Sequence, residues 1–173
     1  MESLRSLIRE VPDFPKPGIL FYDITTLLKD PQGLQLTVQA LDHSVSDKRV
    51  DIVAGMESRG FLFGPSLSIR LGTGFALMRK PGKLPAATTT VTYDLEYGSD
   101  SLEIHTDAIR PGQRVLIVDD LLATGGTAAA AVKLVEQLGG EVAALAFVVE
   151  LDFLRGRDRL QGHDVRSLLH YDS

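Results

Sequence analysis

The run Val115-Leu116-Ile117-Val118-Asp119-Asp120-Leu121-Leu122-Ala123-Thr124-Gly125-Gly126-Thr127 is the most informative in this chain. It opens on four apolar residues, with no polar position on either face. That is the pattern of a short strand buried on both sides in a parallel sheet. Asp119 and Asp120 close the strand, a turn of small residues follows, and Thr127 begins an Ala-rich helical stretch that ends at Leu138 before Gly139-Gly140. Ligands of open parallel sheets bind outside the carboxyl ends of the strands. Gly125 and Gly126 let backbone amides come close to a ligand, and Thr124 and Thr127 add hydroxyl donors. The helix N-terminus contributes partial positive charge, so the turn suits a phosphate monoester. Two adjacent carboxylates would repel that phosphate. They suit the groups beside it, either the vicinal hydroxyls of a ribose or a hydrated Mg²⁺. Phosphate, diol and metal together describe a ribose phosphate.

The rest of the chain is consistent with such a sheet. Val50 to Gly55 reads as a strand, Phe61 to Leu71 as the helix after it, Phe75 to Arg79 as the next strand, and Val142 to Val149 as a further buried strand. Strands alternating with helices predict an α/β fold, a parallel-sheet core flanked by helices. Before this block, Leu4, Leu7 and Ile8 have the spacing of a short amphipathic helix. Val11 to Gly18 carries three prolines and predicts an irregular segment leading to the apolar patch Ile19 to Asp23. Asp30-Pro31 predicts the start of a helix running to about His43. Residues 85–109 differ in texture: polar, β-prone, with Gly98 between two short strands, as in a hairpin that could serve as a mobile lid. With no repeat and no linker, residues 1–173 read as one domain, residues 1–30 being an N-terminal appendage.

Composition narrows the function. A chain of 173 residues with 44% hydrophobic content is enough for a real core. Its 23 acidic against 18 basic residues give a net charge of −5, which argues against nucleic-acid binding through bulk positive charge. With no cysteine, disulfides, thiolate metal sites and cysteine nucleophiles are excluded. The longest apolar run, Val142 to Val149, is far short of the roughly 20 residues of a membrane span. The charged start offers no apolar signal region, so a soluble, cytoplasmic protein is expected. His43, His105, His163 and His170 are scattered, without metal-ligand spacing. Walker and dinucleotide phosphate loops are both missing, since no Gly-Lys-Ser/Thr occurs and Gly72-Thr73-Gly74 meets Leu77 where a glycine would be needed.

The Val115–Thr127 string resembles the 5-phosphoribosyl-1-pyrophosphate (PRPP) signature of type I phosphoribosyltransferases, in the version carried by the adenine enzymes. Phe14-Pro15-Lys16-Pro17-Gly18-Ile19-Leu20-Phe21, Glu57-Ser58-Arg59-Gly60-Phe61-Leu62-Phe63-Gly64 and Leu95-Glu96-Tyr97-Gly98 match the same family in order. The resemblance implies the type I fold, with residues 1–30 as a base-binding hood and 85–109 as a flexible lid. It implies transfer of the phosphoribosyl group of PRPP to adenine, giving AMP and pyrophosphate with Mg²⁺, in a homodimer. Carried over residue by residue, Asp119 and Asp120 hold the ribose and Ala123, Thr124, Gly125, Gly126 and Thr127 the 5′-phosphate. Ser58, Arg59, Arg79, Lys80 and Lys83 take pyrophosphate, and Leu20, Phe21 and Tyr22 take adenine. In the lid, Glu96 is the catalytic acid–base group and Tyr97 its neighbour. The hypoxanthine–guanine relatives place an aspartate where this chain has Ala123, which leaves Glu96 as the available carboxylate. The chain departs from the adenine enzymes at Tyr22, a position that is commonly arginine among them; the stacking Phe21 is kept. Two rivals are a phosphoribosyltransferase for another base such as xanthine, opposed by Ala123 and the Leu-Glu-Tyr-Gly lid, and a non-catalytic PRPP-sensing regulator, opposed by the acidic balance and the retained Glu96.

Overall fold

A computed structural model describes residues 2–94 and 98–173. Its contacts divide the chain into two compact units, residues 1–40 and 41–173. The first holds a four-residue helix α1 (Glu2–Arg5), strands β1 (Arg9–Pro12) and β2 (Leu20–Asp23), helix α2 (Thr25–Lys29) and most of α3 (Pro31–Ser44), which starts at the proline as the sequence predicts. β1 and β2 pair antiparallel, Glu10 opposite Tyr22 and Val11 opposite Phe21. Prolines gave Val11–Gly18 the look of an irregular segment, yet Pro12 closes a strand. A two-stranded ribbon leaves edge positions, where a missing N–H is tolerated. The amphipathic pattern through Ile8 yields a shorter helix than its spacing suggests, continued to Ile8 by turn hydrogen bonds from Leu7 to Leu4 and from Ile8 to Arg5.

The second unit is built on a five-stranded sheet of β3 (Ile52–Met56), β4 (Gly74–Met78), β7 (Arg114–Leu122), β8 (Glu141–Leu151) and β9 (Val165–Tyr171), in the order β4-β3-β7-β8-β9. Every neighbouring pair in it is parallel. Val115 to Val118 lie in the central strand and are fully buried, which is why no polar side chain interrupts them. Each such side chain contributes about 1.5–3 kcal/mol through burial. Helix α4 (Gly64–Leu71), preceded by a 3₁₀ turn at Arg59–Leu62, packs on β3 and β4. Helix α5 (Gly126–Gln137) packs on β7 and β8 and also on the antiparallel ribbon β5 (Thr88–Asp94) and β6 (Ser99–His105). Ala128, Ala130 and Ala131 are buried there, so the alanine run is an adaptation to close packing on several sides. The ribbon is the hairpin expected around Gly98, and Val91, Leu102 and Ile104 make its body part of the core. An isolated bridge from Arg79 to Glu103 ties it to the end of β4.

One boundary bears on function. β7 does not end at the acid pair; its ladder with β8 runs on to Leu122 opposite Glu150, so Asp119 and Asp120 lie within the strand. β9 is an element that the sequence reading lacks. No helix among the described residues is long and apolar enough to cross a membrane.

Candidate active site

At the carboxyl ends of β3 and β7, a cleft of about 260 Å³ is lined by Ser58, Arg59 and Lys80, by the run from Asp119 to Ala128, and by Glu57 and Phe147. Parallel register produces the gathering. β3 pairs with β4 on one side and β7 on the other, so the turns after all three strands emerge on one rim. The turn after β7 is shaped by Gly125, whose φ of +79° is a left-handed conformation that costs glycine nothing. Gly125 is the residue before α5, so the amides that follow it lie at the helix N-terminus. Gly125 and Gly126 are buried and Thr124 is exposed. The result is a cradle of main-chain donors and hydroxyls, an arrangement suited to an anion.

The acid pair sits beside that cradle. Asp120 is 3% exposed, and its Oδ2 lies 3.0 Å from Arg59 Nε. The Asp120 amide donates to Asp119 Oδ1 at 2.9 Å. Burial, then the negative charge of Asp120, pushes the Asp119 carboxyl well above the ordinary range. Burial also pushes Asp120 up, with the Arg59 guanidinium opposing it. The site therefore resists holding two negative charges here, and ligands with hydroxyl donors or a cation relieve that resistance.

The cations expected from the sequence separate into two groups. Arg59 and Lys80 line the cleft, whereas Arg79 and Lys83 do not. Arg79 Nη2 instead contacts Glu57 Oε2 at 3.2 Å, and its Nη1 reaches the Lys83 carbonyl at 3.4 Å. Lys80 donates its amide to Glu57 and its ammonium to Asp100, and Nζ is 3.2 Å from the Tyr93 hydroxyl. Burial opposes ionisation of Glu57, but the Lys80 amide and Arg79 outweigh it and hold the carboxyl below its usual range. Burial likewise opposes charge on Lys80, but the Asp100 and Tyr93 hydrogen bonds prevail and raise it. Asp100 is lowered, chiefly by Lys80.

Sequence reasoning missed Tyr93 and Asp100. The Tyr93 hydroxyl accepts from Thr127 Oγ1 at 3.1 Å and lies 3.3 Å from Asp100 Oδ2. Thus one phenol joins the phosphate cradle, the Lys80 ammonium and the ribbon. Glu57 stood in the quoted Glu57–Gly64 segment without a role. The only signal for it was its place beside Ser58 and Arg59. Glu96 and Tyr97 lie outside the described residues. Leu20, Phe21 and Tyr22 belong to β2 of the N-terminal unit, where Phe21 meets Phe14 edge-on at 5.1 Å between ring centres. Tyr22 is buried, and burial followed by the charge of Glu10 raises its hydroxyl pKa. Of the scattered histidines, His170 joins Glu150 and Asp152, with ligand atoms within 4.8 Å of one another. The Glu150 oxygens there are already taken by Arg157 and Ser167.

A cradle of main-chain donors beside an acid pair with one buried member, and cations on the adjoining strand ends of a parallel sheet, is the arrangement expected of a sugar-phosphate transferase of the phosphoribosyltransferase class. The family model for the Phosphoribosyl transferase domain matches residues 25–170, and the chain belongs to that family, in the branch of the adenine phosphoribosyltransferases. The adenine phosphoribosyltransferase of Acidobacterium capsulatum is 67% identical over 170 residues, 98% of this chain and 94% of that protein. That of Solibacter usitatus is 63% identical, over 99% of both chains. Among solved structures, the enzyme from Thermoanaerobacter pseudethanolicus superimposes with a TM-score of 0.96 at 54% identity, covering 98% of this chain and 99% of that one. The Saccharomyces cerevisiae enzyme, complexed with an imino-altritol bisphosphate and adenine, gives 0.91 at 45% identity and 97% coverage of each.

Proposed function

We propose that this chain transfers the 5-phosphoribosyl group of PRPP to adenine, forming AMP and pyrophosphate, as an enzyme of purine salvage. The observation that carries this reading is the single cleft that joins the Ala123–Thr127 cradle to Asp119, Asp120, Arg59 and Lys80. It offers a donor set for each part of PRPP, and the relatives are adenine phosphoribosyltransferases. The cradle takes the 5′-phosphate and the acid pair takes the ribose hydroxyls. Ser58, Arg59 and Lys80 take pyrophosphate, while Arg79 orders Glu57 and through it the Lys80 amide. Bond-making between a ring nitrogen of adenine and C1 of the ribose accompanies loss of pyrophosphate from that carbon, and the purine ring gives up a proton. We assign that proton to Glu96, with Tyr97 beside it in the lid. Leu20, Phe21 and Tyr22 receive the base, Phe21 by packing on its face and the backbone by hydrogen bonding.

A buried Asp120 paired with Arg59, beside a half-buried Asp119 whose carboxyl is pushed up by burial and by the charge of Asp120, fits a divalent cation. Asp119 and Asp120 would help to hold Mg²⁺, whose chemistry is to neutralise phosphate charge. A homodimer is part of the same proposal. Leu62, Ile69 and Leu77 lie on the 3₁₀ turn, α4 and the edge strand β4, and are 43%, 81% and 42% exposed.

The test is an assay of purified protein with PRPP, Mg²⁺ and each purine base, reading AMP and pyrophosphate. Adenine should be converted, and hypoxanthine should fall roughly 10²–10⁴-fold lower in kcat/KM, because it reverses the donor–acceptor pattern at two hydrogen bonds. Turnover of xanthine but not adenine, or PRPP binding without turnover of any base, would overturn the reading.

A further inference from the structure

Glu150 is 3% exposed, and nothing in the proposed chemistry uses it. A carboxylate so buried needs a charged, geometrically matched partner. Arg157 supplies one: Nε donates to Oε1 at 2.6 Å and Nη2 to Oε2 at 2.8 Å. Ser167 Oγ adds a hydrogen bond to Oε2 at 2.6 Å, and Arg157 Nη1 donates to the Val165 carbonyl at 2.8 Å. The fork thereby fastens the 3₁₀ turn Gly156–Leu160 to the ends of β8 and β9.

That turn touches the phosphate loop, backbone against backbone. A Cβ on Gly156 would stand 2.3 Å from the Ala123 carbonyl oxygen, and a Cβ on Gly125 would stand 2.3 Å from the Gly156 carbonyl oxygen. Neither position has room for a side chain, so any shift of Gly156 is a shift of the loop. The turn packs on α5 as well, with Leu160 2% exposed in the core.

We infer that Glu150 and Arg157 are positioning residues for the 5′-phosphate: their ion pair holds Gly156 against Ala123 and Gly125 and so sets the shape of the cradle. The inference rests on the reading of the cleft given above. It assigns the pair no contact with substrate. Its effect is specific to ligands that carry a sugar 5-phosphate.

Arg157→Lys is the first variant, because it keeps the charge of a half-exposed side chain but loses the fork and the bond to Val165. Gly156→Ala is the second, because it pushes on the loop directly. Calorimetry would compare ribose 5-phosphate with Mg²⁺-pyrophosphate, alongside thermal denaturation. Both variants should bind ribose 5-phosphate about tenfold or more weaker, because a displaced loop misaligns the donors that meet the phosphate. Pyrophosphate affinity should stay within about twofold, and the KM for PRPP should rise with kcat nearly unchanged. Wild-type affinity for ribose 5-phosphate in both variants would overturn the inference. So would equal weakening of both ligands, which marks general loosening of the fold. Failure of the wild-type protein to bind either ribose 5-phosphate or PRPP would instead overturn the reading of the cleft, and the inference with it.

Discussion

Asp119 carries a cost that the proposed contact with ribose hydroxyls or a cation would explain. Its carboxyl is pushed up by burial and by Asp120, so the folded protein binds a proton there more tightly than the unfolded chain does. Below the unfolded value of about 3.9 both states are protonated and the cost vanishes. As pH rises from there through the raised folded value, the unfolded chain ionises first and stability is lost. Asp119→Asn removes the titration while keeping an acceptor for the Asp120 amide, whose bond to Oδ1 is 2.9 Å. Thermal denaturation should therefore show a higher Tm for the variant at pH 7 and no difference near pH 3.5, with PRPP binding weakened. An Asn variant less stable than wild type at neutral pH would contradict this account. Glu96 is the opposite kind of residue, argued from chemistry and sequence position alone. With Ala123 offering no carboxylate, Glu96→Gln should lower kcat by roughly 10²–10⁴ while leaving PRPP affinity nearly intact. Rates within a few-fold of wild type would remove Glu96 from the proton transfer.

The β5–β6 ribbon delivers Tyr93 to the site. Tyr93→Phe removes only the hydroxyl that meets Thr127 and Lys80 at 3.1 and 3.2 Å. A net hydrogen-bond contribution of about 0.5–1.5 kcal/mol predicts a rise of roughly 2- to 10-fold in the PRPP KM, read by steady-state kinetics, with Tm almost unmoved. An unchanged KM would mean that the phenol is a bystander. This residue also shows where the sequence stops being legible. The cradle could be read because Asp119 to Thr127 are contiguous and their residue types name their chemistry. Tyr93 meets Thr127 across 34 positions and Lys80 across 13, and no local pattern announces either meeting. The same holds for elements. β7 and β8 stood out as apolar runs because neighbours cover both of their faces. β9, Val-Arg-Ser-Leu-Leu-His-Tyr, is an edge strand with mixed burial, so its composition carries no comparable signal. β1 was obscured by the prolines around it, whose exclusion applies to central strands and not to a two-stranded ribbon.

For the molecule as a whole, the exposed Ile69 offers the plainest test of assembly. If the α4–β4 edge joins two copies, sedimentation should give twice the 18.8 kDa chain mass. Ile69→Asp, which places a charge on a side chain that is 81% exposed in the single chain, should then shift the protein to monomer without unfolding it. A wild-type monomer at micromolar concentration would dispose of the dimer. The contact between Gly125 and Gly156 has a different reach. Each looks, taken alone, like a replaceable turn residue, but both are shut by the other's chain segment at the same 2.3 Å limit. The outline of the phosphate loop is therefore written twice in the gene, at codons 125 and 156, and an edit to either displaces what the other encodes. A saturation library selected for growth on adenine should enrich glycine at both codons, with alanine the first replacement to survive at 156. At Gly74, where a Cβ would meet nothing within 4 Å, it should accept many replacements.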